Sequence, residues 1–393
     1  MAKPDNAPSP VLIRDTATLA ALCERLRHES FVTVDTEFMR ERTYWPELCV
    51  VQLAGESEVA IIDALAPGLD ISPLGELMGD PAVMKVFHAC RQDIEIFVLK
   101  FGATPTPVFD TQIAAMVAGF GEQAGYDTLV QSLAGQQIDK AHRFSDWSVR
   151  PLTEAQLAYA AGDVTWLRTI YAKLHDRLAR EGRLEWVGAE MASLTDPALY
   201  RVDPQTAWER LKPRSFNRRL LGQLRDIAAW REREAQRADI PRQRILKDET
   251  LLELAATAPS TAEQLGRIRG ITRGFAEGRM GAALLAVIES CQALPDSAMP
   301  APPNRREKAA SPALVALLKV LLAAKSDQHR IAARLLASAE DIERLAAEEQ
   351  PDIPALSGWR AELFGNDAQA LKAGRITLGV DGKRVRLVRS DEG

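Results

Sequence analysis

No stretch of the chain approaches the roughly 20 apolar residues needed to cross a membrane, and the opening "MAKPDNAPSP" lacks the apolar core of a signal peptide. A cytoplasmic protein without a membrane role is the expectation. Cysteine is scarce, with four in 393 residues (Cys23, Cys49, Cys90 and Cys291), and none stands in a C-x-x-C pair. That argues against a zinc site and a disulfide framework, and leaves reduced, structural thiols. A short-period repeat is also missing, which argues against a solenoid.

What is present starts with length: 393 residues exceed one ordinary domain and call for two or three, each able to bury its own core. The net charge of −5 is unevenly spread. The first 200 residues are acidic, and the segment 206–247 is basic, with Arg210, Lys212, Arg214, Arg218 and Arg219 close together. An acidic front and a basic middle suggest a cation-dependent site followed by a module that binds polyanions. A helix with a solvated charged face accounts for the basic segment equally well.

Up to about residue 120, apolar runs such as "FVTV", "LCVVQLA", "VAIID" and "MKVFHA" alternate with helical patterns such as "TATLAALCERL". This is the pattern of an α/β fold, a central sheet covered by helices. Helices dominate from about 126, where Asp127 is placed to cap one. A long helix is expected after Pro151, opened by a capping box of Thr153 and Gln156. The expected layout is an α/β domain over 1–205, a helical domain over 206–292, a Pro- and Ala-rich linker over 293–311, a third, helical unit over 312–380 and a tail over 381–393. The tail reads as a short strand or as lacking order, and the two helical units as distant duplicates.

One strand carries an anomaly. In "FVTVDTEFMRE" an apolar run gives way to Asp35 and Glu37, whose side chains alternation places on one side of the strand, a few ångströms apart. Such a pair repels unless positive charge lies between. "VFHACRQDIEIF" adds Asp93 in the first turn of a helix, where a lone acid is ordinarily there to match the helix dipole. "YAAGD" adds Tyr159 and Asp163, four apart and so on one helix face, ordinarily a surface pair.

Together these residues, D-x-E on a strand, an Asp after a second strand and Y-x-x-x-D on a helix, resemble the tyrosine branch of the DEDD superfamily of 3′-to-5′ exonucleases. The stretches "VDTEFMRERTYWPELCVVQLA", "HACRQDIEIF" and "DWSVRPLTEAQLAYAAGDVTWL" resemble the ribonuclease D family within it. The histidine branch would place a His where this chain has Ala158. "RSFNRRLLGQLRDIAAWREREAQ" resembles a helicase-and-RNase-D C-terminal (HRDC) domain, and "HRIAARLLAS" with "LSGWRAELFG" a more divergent second copy. The resemblance implies an RNase H-like exonuclease domain, a mixed central sheet with flanking helices, followed by two all-α HRDC-type domains. It implies that Asp35, Glu37, Asp93 and Asp163 hold two divalent ions, Mg²⁺ or Mn²⁺, and that Tyr159 orients the attacking water. The expected activity is 3′-to-5′ trimming of RNA, transfer-RNA precursors foremost, releasing nucleoside 5′-monophosphates, by a monomer. A DNA exonuclease and a nonenzymatic RNA-binding scaffold are the alternatives.

Other residues carry weaker signals. His88 ends an apolar strand and reads as a satisfied core residue or a substrate contact. Arg143, Trp147 and Arg150 precede the long helix and read as nucleic-acid contacts or as packing. The glycines of "LGRIRGITRGF" suit a turn between helices better than a phosphate cradle.

Overall fold

The computed structural model describes residues 9–302 and 310–389. These fall into two compact units. One takes in the chain up to Glu37, Cys49–Pro197 and the residues from 310 onward; the other takes in Phe38–Leu48 and the residues from Ala198 to 302.

The first unit is built on a six-stranded sheet of β1 (Val11–Ile13), β2 (Phe31–Met39), β3 (Glu47–Ala54), β4 (Val59–Asp63), β5 (Met84–Phe87) and β6 (Val108–Asp110), ordered β1-β4-β3-β2-β5-β6. It is mixed: β1 runs parallel to β4, β2 to β5 and β5 to β6, while β3 is antiparallel to β4. Both faces are covered, so β3 after Glu47, and all of β4, are buried and apolar almost throughout. Around the sheet lie α1 (Thr16–Leu26), α2 (Ser72–Gly79), α3 (Arg91–Phe101), α4 (Thr111–Val117), α5 (Tyr126–Leu129), α6 (Glu154–Arg180) and α7 (Leu184–Leu194).

The capping box of Thr153 and Gln156 opens α6 as the sequence predicts. Val164 of α6 packs with Ala54 and Val59, and the Thr33 hydroxyl donates to the Val164 carbonyl at 2.8 Å. The helix is thereby held to the strand that bears the acid pair. The expected cap at Asp127 is displaced: Gly125 precedes α5, and Asp127 lies in its first turn, paired with Lys140 at 2.6 Å.

In the second unit α8 (Arg218–Ala238), α9 (Arg242–Ile245), α10 (Asp248–Thr257), α11 (Ala262–Leu265), α12 (Arg273–Glu277) and α13 (Arg279–Ala293) enclose Leu224, Ile227, Leu254, Leu284 and Ile288. The loop between β2 and β3 belongs to this unit. The Tyr44 hydroxyl donates to the buried Glu232, and the amides of Tyr44 and Trp45 donate to Asp239, each at 3.0 Å. The start of the expected linker is packed here too, because Met299 is buried and sits where a Cβ on Gly222 would fall. Residues 303–309 of that linker lie outside the described residues.

The remaining elements are α14 (Pro312–His329), α15 (Ala333–Leu336), α16 (Ala339–Ala347), α17 (Gly358–Arg360), α18 (Asn366–Lys372) and the antiparallel hairpin of β7 (Ile376–Asp381) and β8 (Arg384–Arg389). They cluster with the first unit rather than apart from it. Arg360 pairs with Glu190, the rings of Trp186 and Trp359 stack at 5.0 Å, and the Ala332 amide donates to the Met116 carbonyl at 3.0 Å. At Gly119 the backbone takes φ +81°, and a Cβ would lie 2.4 Å from the Arg330 carbonyl oxygen, so only glycine fits this close approach.

The order of elements after α14 repeats that after α8. A long helix ends at one left-handed residue (Asp239, Arg330), and a four-residue helix, two extended residues (Leu246 and Lys247, Ala337 and Ser338) and a further helix follow. Of the tail expected over 381–393, Asp381 ends β7, Gly382 and Lys383 form the turn and Arg384–Arg389 form β8, while residues 390–393 lie outside the described residues. Among the described residues no helix is long and apolar enough to cross a membrane.

Candidate active site

Strand alternation and helix periodicity bring the predicted acids to one place. Asp35 and Glu37 project from β2, and Asp163 from α6, so that one carboxylate oxygen of each lies within 4.8 Å of the others. The fourth acid, Asp93, does not join this triplet. It is buried in the first turn of α3 and accepts a hydrogen bond from the Thr36 hydroxyl, between the two strand acids in sequence. It is still close enough for its charge to be felt by both Asp35 and Glu37.

Among the described residues, no lysine or arginine forms an ion pair with any of the four. Burial, and then the charges of Asp163, Asp93 and Glu37, hold the Asp35 carboxyl well above its ordinary range. Burial with Asp163 and Asp93 pushes Glu37 to about 9. Burial likewise pushes Asp93 to about 7 against the pull of the Thr36 hydrogen bond, and Asp163 to about 7 against the pull of the Tyr159 hydroxyl. Four acids so arranged favour protons or metal cations over free charge. A convergent all-oxygen donor set suits a hard divalent cation.

Tyr159 is one turn from Asp163 on α6. Burial first, then Asp163, Glu37 and Asp35, raise its pKa, so its hydroxyl keeps its proton. Trp147 and His142 flank its ring, with centroids 6.1 and 6.3 Å away.

Other predicted residues resolve differently. Arg150 is structural: it pairs with Asp63 at 2.7 Å and donates to the carbonyls of Trp147 and Cys49 at 2.6 and 2.9 Å. Trp147 is buried against Tyr159, while Arg143 is exposed and its charge reaches Tyr159. His88 bonds Thr111 at 3.0 Å, and burial lowers its pKa, which keeps it neutral. Of the basic segment, Arg210 pairs with Glu232 at 3.4 Å, Arg218 donates to the Met299 carbonyl at 3.5 Å, and Arg219 pairs with Asp296 at 2.6 Å. Lys212 and Arg214 are exposed.

Three residues escaped the sequence reading. Thr36 orients Asp93, and its one signal was its place between the acids. The Tyr126 hydroxyl donates at 2.9 Å to the carbonyl of Gly162, bracing α6 between Tyr159 and Asp163. Gln52 is fully buried on β3 with both side-chain amide atoms unpartnered. Alternation places it on the same face as Ala54, the face covered by α6.

The raised acids predict a pH-dependent response to metal. Their folded pKa values exceed the ordinary values near 4. The stability they contribute as protonated groups is therefore complete below about pH 4 and is lost as pH rises through about 7 for Asp93 and Asp163 and about 9 for Glu37. Without metal, the melting temperature is expected to fall between pH 5 and 9. Saturating Mn²⁺ should raise it by several degrees at pH 8 and by less at pH 6, because protons compete for the same oxygens. Differential scanning calorimetry at both pH values checks this; a Mn²⁺ effect independent of pH would refute the coupling.

A mixed sheet that presents a carboxylate cluster to a long, tyrosine-bearing helix defines the class of 3′-to-5′ exonucleases. Residues 10–179 match the 3′-5′ exonuclease family, and residues 221–288 match the HRDC domain. The chain is 67% identical to ribonuclease D of Granulibacter bethesdensis and 65% identical to that of Acidiphilium cryptum, covering 97% of this chain and of each relative. The crystal structure of Escherichia coli RNase D, described as an exoribonuclease involved in structured RNA processing, superposes with a TM-score of 0.79 at 32% identity, covering 92% of this chain and 98% of that one. The chain belongs to the ribonuclease D family of 3′-to-5′ exoribonucleases.

Proposed function

We propose that this protein trims the 3′ ends of transfer-RNA precursors and other structured RNA, one nucleotide at a time, releasing nucleoside 5′-monophosphates. The observation that carries the reading is the convergence of Asp35, Glu37 and Asp163 beside a protonated Tyr159. Asp35, Glu37, Asp93 and Asp163 together hold two divalent cations, Mg²⁺ or Mn²⁺. When bound, these ions supply Lewis-acid activation of water and charge stabilisation at the leaving oxygen. The four carboxylates offset that positive charge, and Thr36 keeps the Asp93 carboxylate aimed.

The Tyr159 hydroxyl works by position. Its raised pKa makes it a poor base at neutral pH, so it orients the attacking water by hydrogen bonding rather than by removing a proton. Asp163, one turn along the helix, fixes the hydroxyl's direction. Attack on the terminal phosphodiester breaks the bond to the 3′ oxygen of the preceding residue, and the phosphate leaves on the released nucleotide.

The helical elements from 312 to 380 act as a second HRDC-like domain, a reading supported by their repetition of the element order seen after α8. Lys212 and Arg214 remain available for phosphate contact, and Arg210, Arg218 and Arg219 contribute only where they release their partners. The protein works in the cytoplasm as a monomer.

Incubating a 3′-labelled RNA and the matching single-stranded DNA with Mg²⁺ or Mn²⁺ tests this. RNA is expected to shorten from its 3′ end to labelled 5′-monophosphate, with DNA degraded more slowly. Faster loss of DNA would transfer the assignment to a DNA exonuclease, and no loss of either would leave an RNA-binding scaffold.

A further inference from the structure

Of the five cations singled out in the basic segment, Arg210, Arg218 and Arg219 are spent on bonds within their own unit. The opposite holds at the C-terminal hairpin. A cleft of about 960 Å³ lies between the last turns of α14 and β8, lined by Lys325, Arg330, Lys383, Arg384, Arg386 and Arg389, with Asp327 and Asp367. Lys325 pairs with Asp367, which leaves five cations facing the single carboxylate of Asp327. Lys383, Arg384, Arg386 and Arg389 are exposed, and none of them forms an ion pair among the described residues.

We propose that this cleft is a binding site for the phosphate backbone of RNA, holding the substrate away from the carboxylate cluster; the proposal rests on the exoribonuclease reading above. A concentration of five cations against one carboxylate is destabilising by itself and favours an external polyanion. Arg384 and Arg386 alternate along the strand, so their side chains rise on one face about 7 Å apart, close to the interval between neighbouring phosphates. Arginine's planar fork matches phosphate oxygens in pairs.

The backbone is shaped for this array. Gly379 stands opposite Arg386 in the hairpin, and a Cβ there would be 3.7 Å from Arg386 Nε and 3.8 Å from its Cγ. The arginine stem therefore runs across the bare glycine of its partner strand. Ile376 at the base of the hairpin is buried, which anchors the ribbon, while Val380 near its tip is 78% exposed. A two-stranded ribbon is marginal alone, and its contact with α14 supplies the support it needs.

The test uses the full chain in EDTA, so that RNA is bound and not degraded, with a folded RNA bearing a single-stranded 3′ tail. Filter-binding titrations over a range of salt compare wild type with K383Q/R384Q/R386Q/R389Q and with R384K/R386K. The glutamine variant should bind at least about tenfold more weakly at low salt, with a log-affinity slope shallower by about 0.7 per lost contact. The lysine variant should keep the wild-type slope, and all three proteins should degrade a short oligonucleotide at the same rate once metal is restored. Equal slopes for glutamine variant and wild type would overturn the proposal. Equal weakening of the glutamine and lysine variants would overturn it too, by showing that the arginines only support the hairpin. Failure of wild type to bind or degrade any RNA would instead remove the exoribonuclease reading on which the cleft depends.

Discussion

Asp35→Asn and Asp163→Asn are each expected to lower kcat by about 10³-fold or more while the fold remains intact. Each change removes one of three carboxylates whose oxygens lie within 4.8 Å, and a neutral amide is a weaker ligand for a hard cation than a carboxylate. The companion result separates a metal-site role from a structural one. Because Asp35 is repelled by Asp163, Asp93 and Glu37, its neutralisation should leave the metal-free protein at least as stable as wild type at pH 8. The stabilisation by Mn²⁺ should shrink in the same variant. Single-turnover assays on a labelled RNA, paired with melting curves with and without Mn²⁺, read both effects. More than about a tenth of wild-type activity in either variant would remove the carboxylates from the chemistry, and a large drop in metal-free stability would make them structural.

Tyr159→Phe should lower kcat by about 10² to 10⁴ with little change in RNA affinity. The substitution keeps the ring between Trp147 and His142 and deletes only the hydroxyl, so packing is preserved. Because that hydroxyl stays protonated, the pH profile of the wild type should show no limb from ionisation of tyrosine near pH 10. Its acidic limb should instead follow the carboxylates, with activity rising as Asp93 and Asp163 lose their protons near 7. Bound metal should move that limb to lower pH, by more as Mn²⁺ is raised. A variant with wild-type kcat would make Tyr159 a packing residue, and a limb near pH 10 would restore it as a base.

The candidate site was largely legible because its chemistry breaks local rules. Acids at the end of an apolar strand have no structural use, so Asp35 and Glu37 stand out without any knowledge of the fold. Alternation and the four-residue helix interval then say which side chains share a face. What those periods leave open is the distance between elements. The triplet of Asp35, Glu37 and Asp163, with Asp93 bonded to Thr36 beside it, needed the packing of α6 and α3 around β2. Tyr126 and Gln52 were invisible for the same reason: a tyrosine near a helix and a glutamine in a strand are ordinary until their neighbours are known.

Charge shows the limit most clearly. The sequence reading singled out 206–247 because cations are dense there, but density does not reveal partners, and Arg210 and Arg219 lie beside Glu232 and Asp296. The hairpin cations drew no notice because they sit in what reads as a tail. By itself, the sequence determined the alternation of strands and helices before residue 120, the capping of α6 and the choice of Asp35 and Glu37 as an anomaly, since each depends on residues within a turn or two of one another. Tertiary structure alone decided that the β2–β3 loop groups with the helical unit, that the C-terminal helices join the exonuclease fold, and which cations remain free for a polyanion. Those outcomes are contacts between residues far apart in the chain, set by which surfaces bury one another, and no local period encodes them.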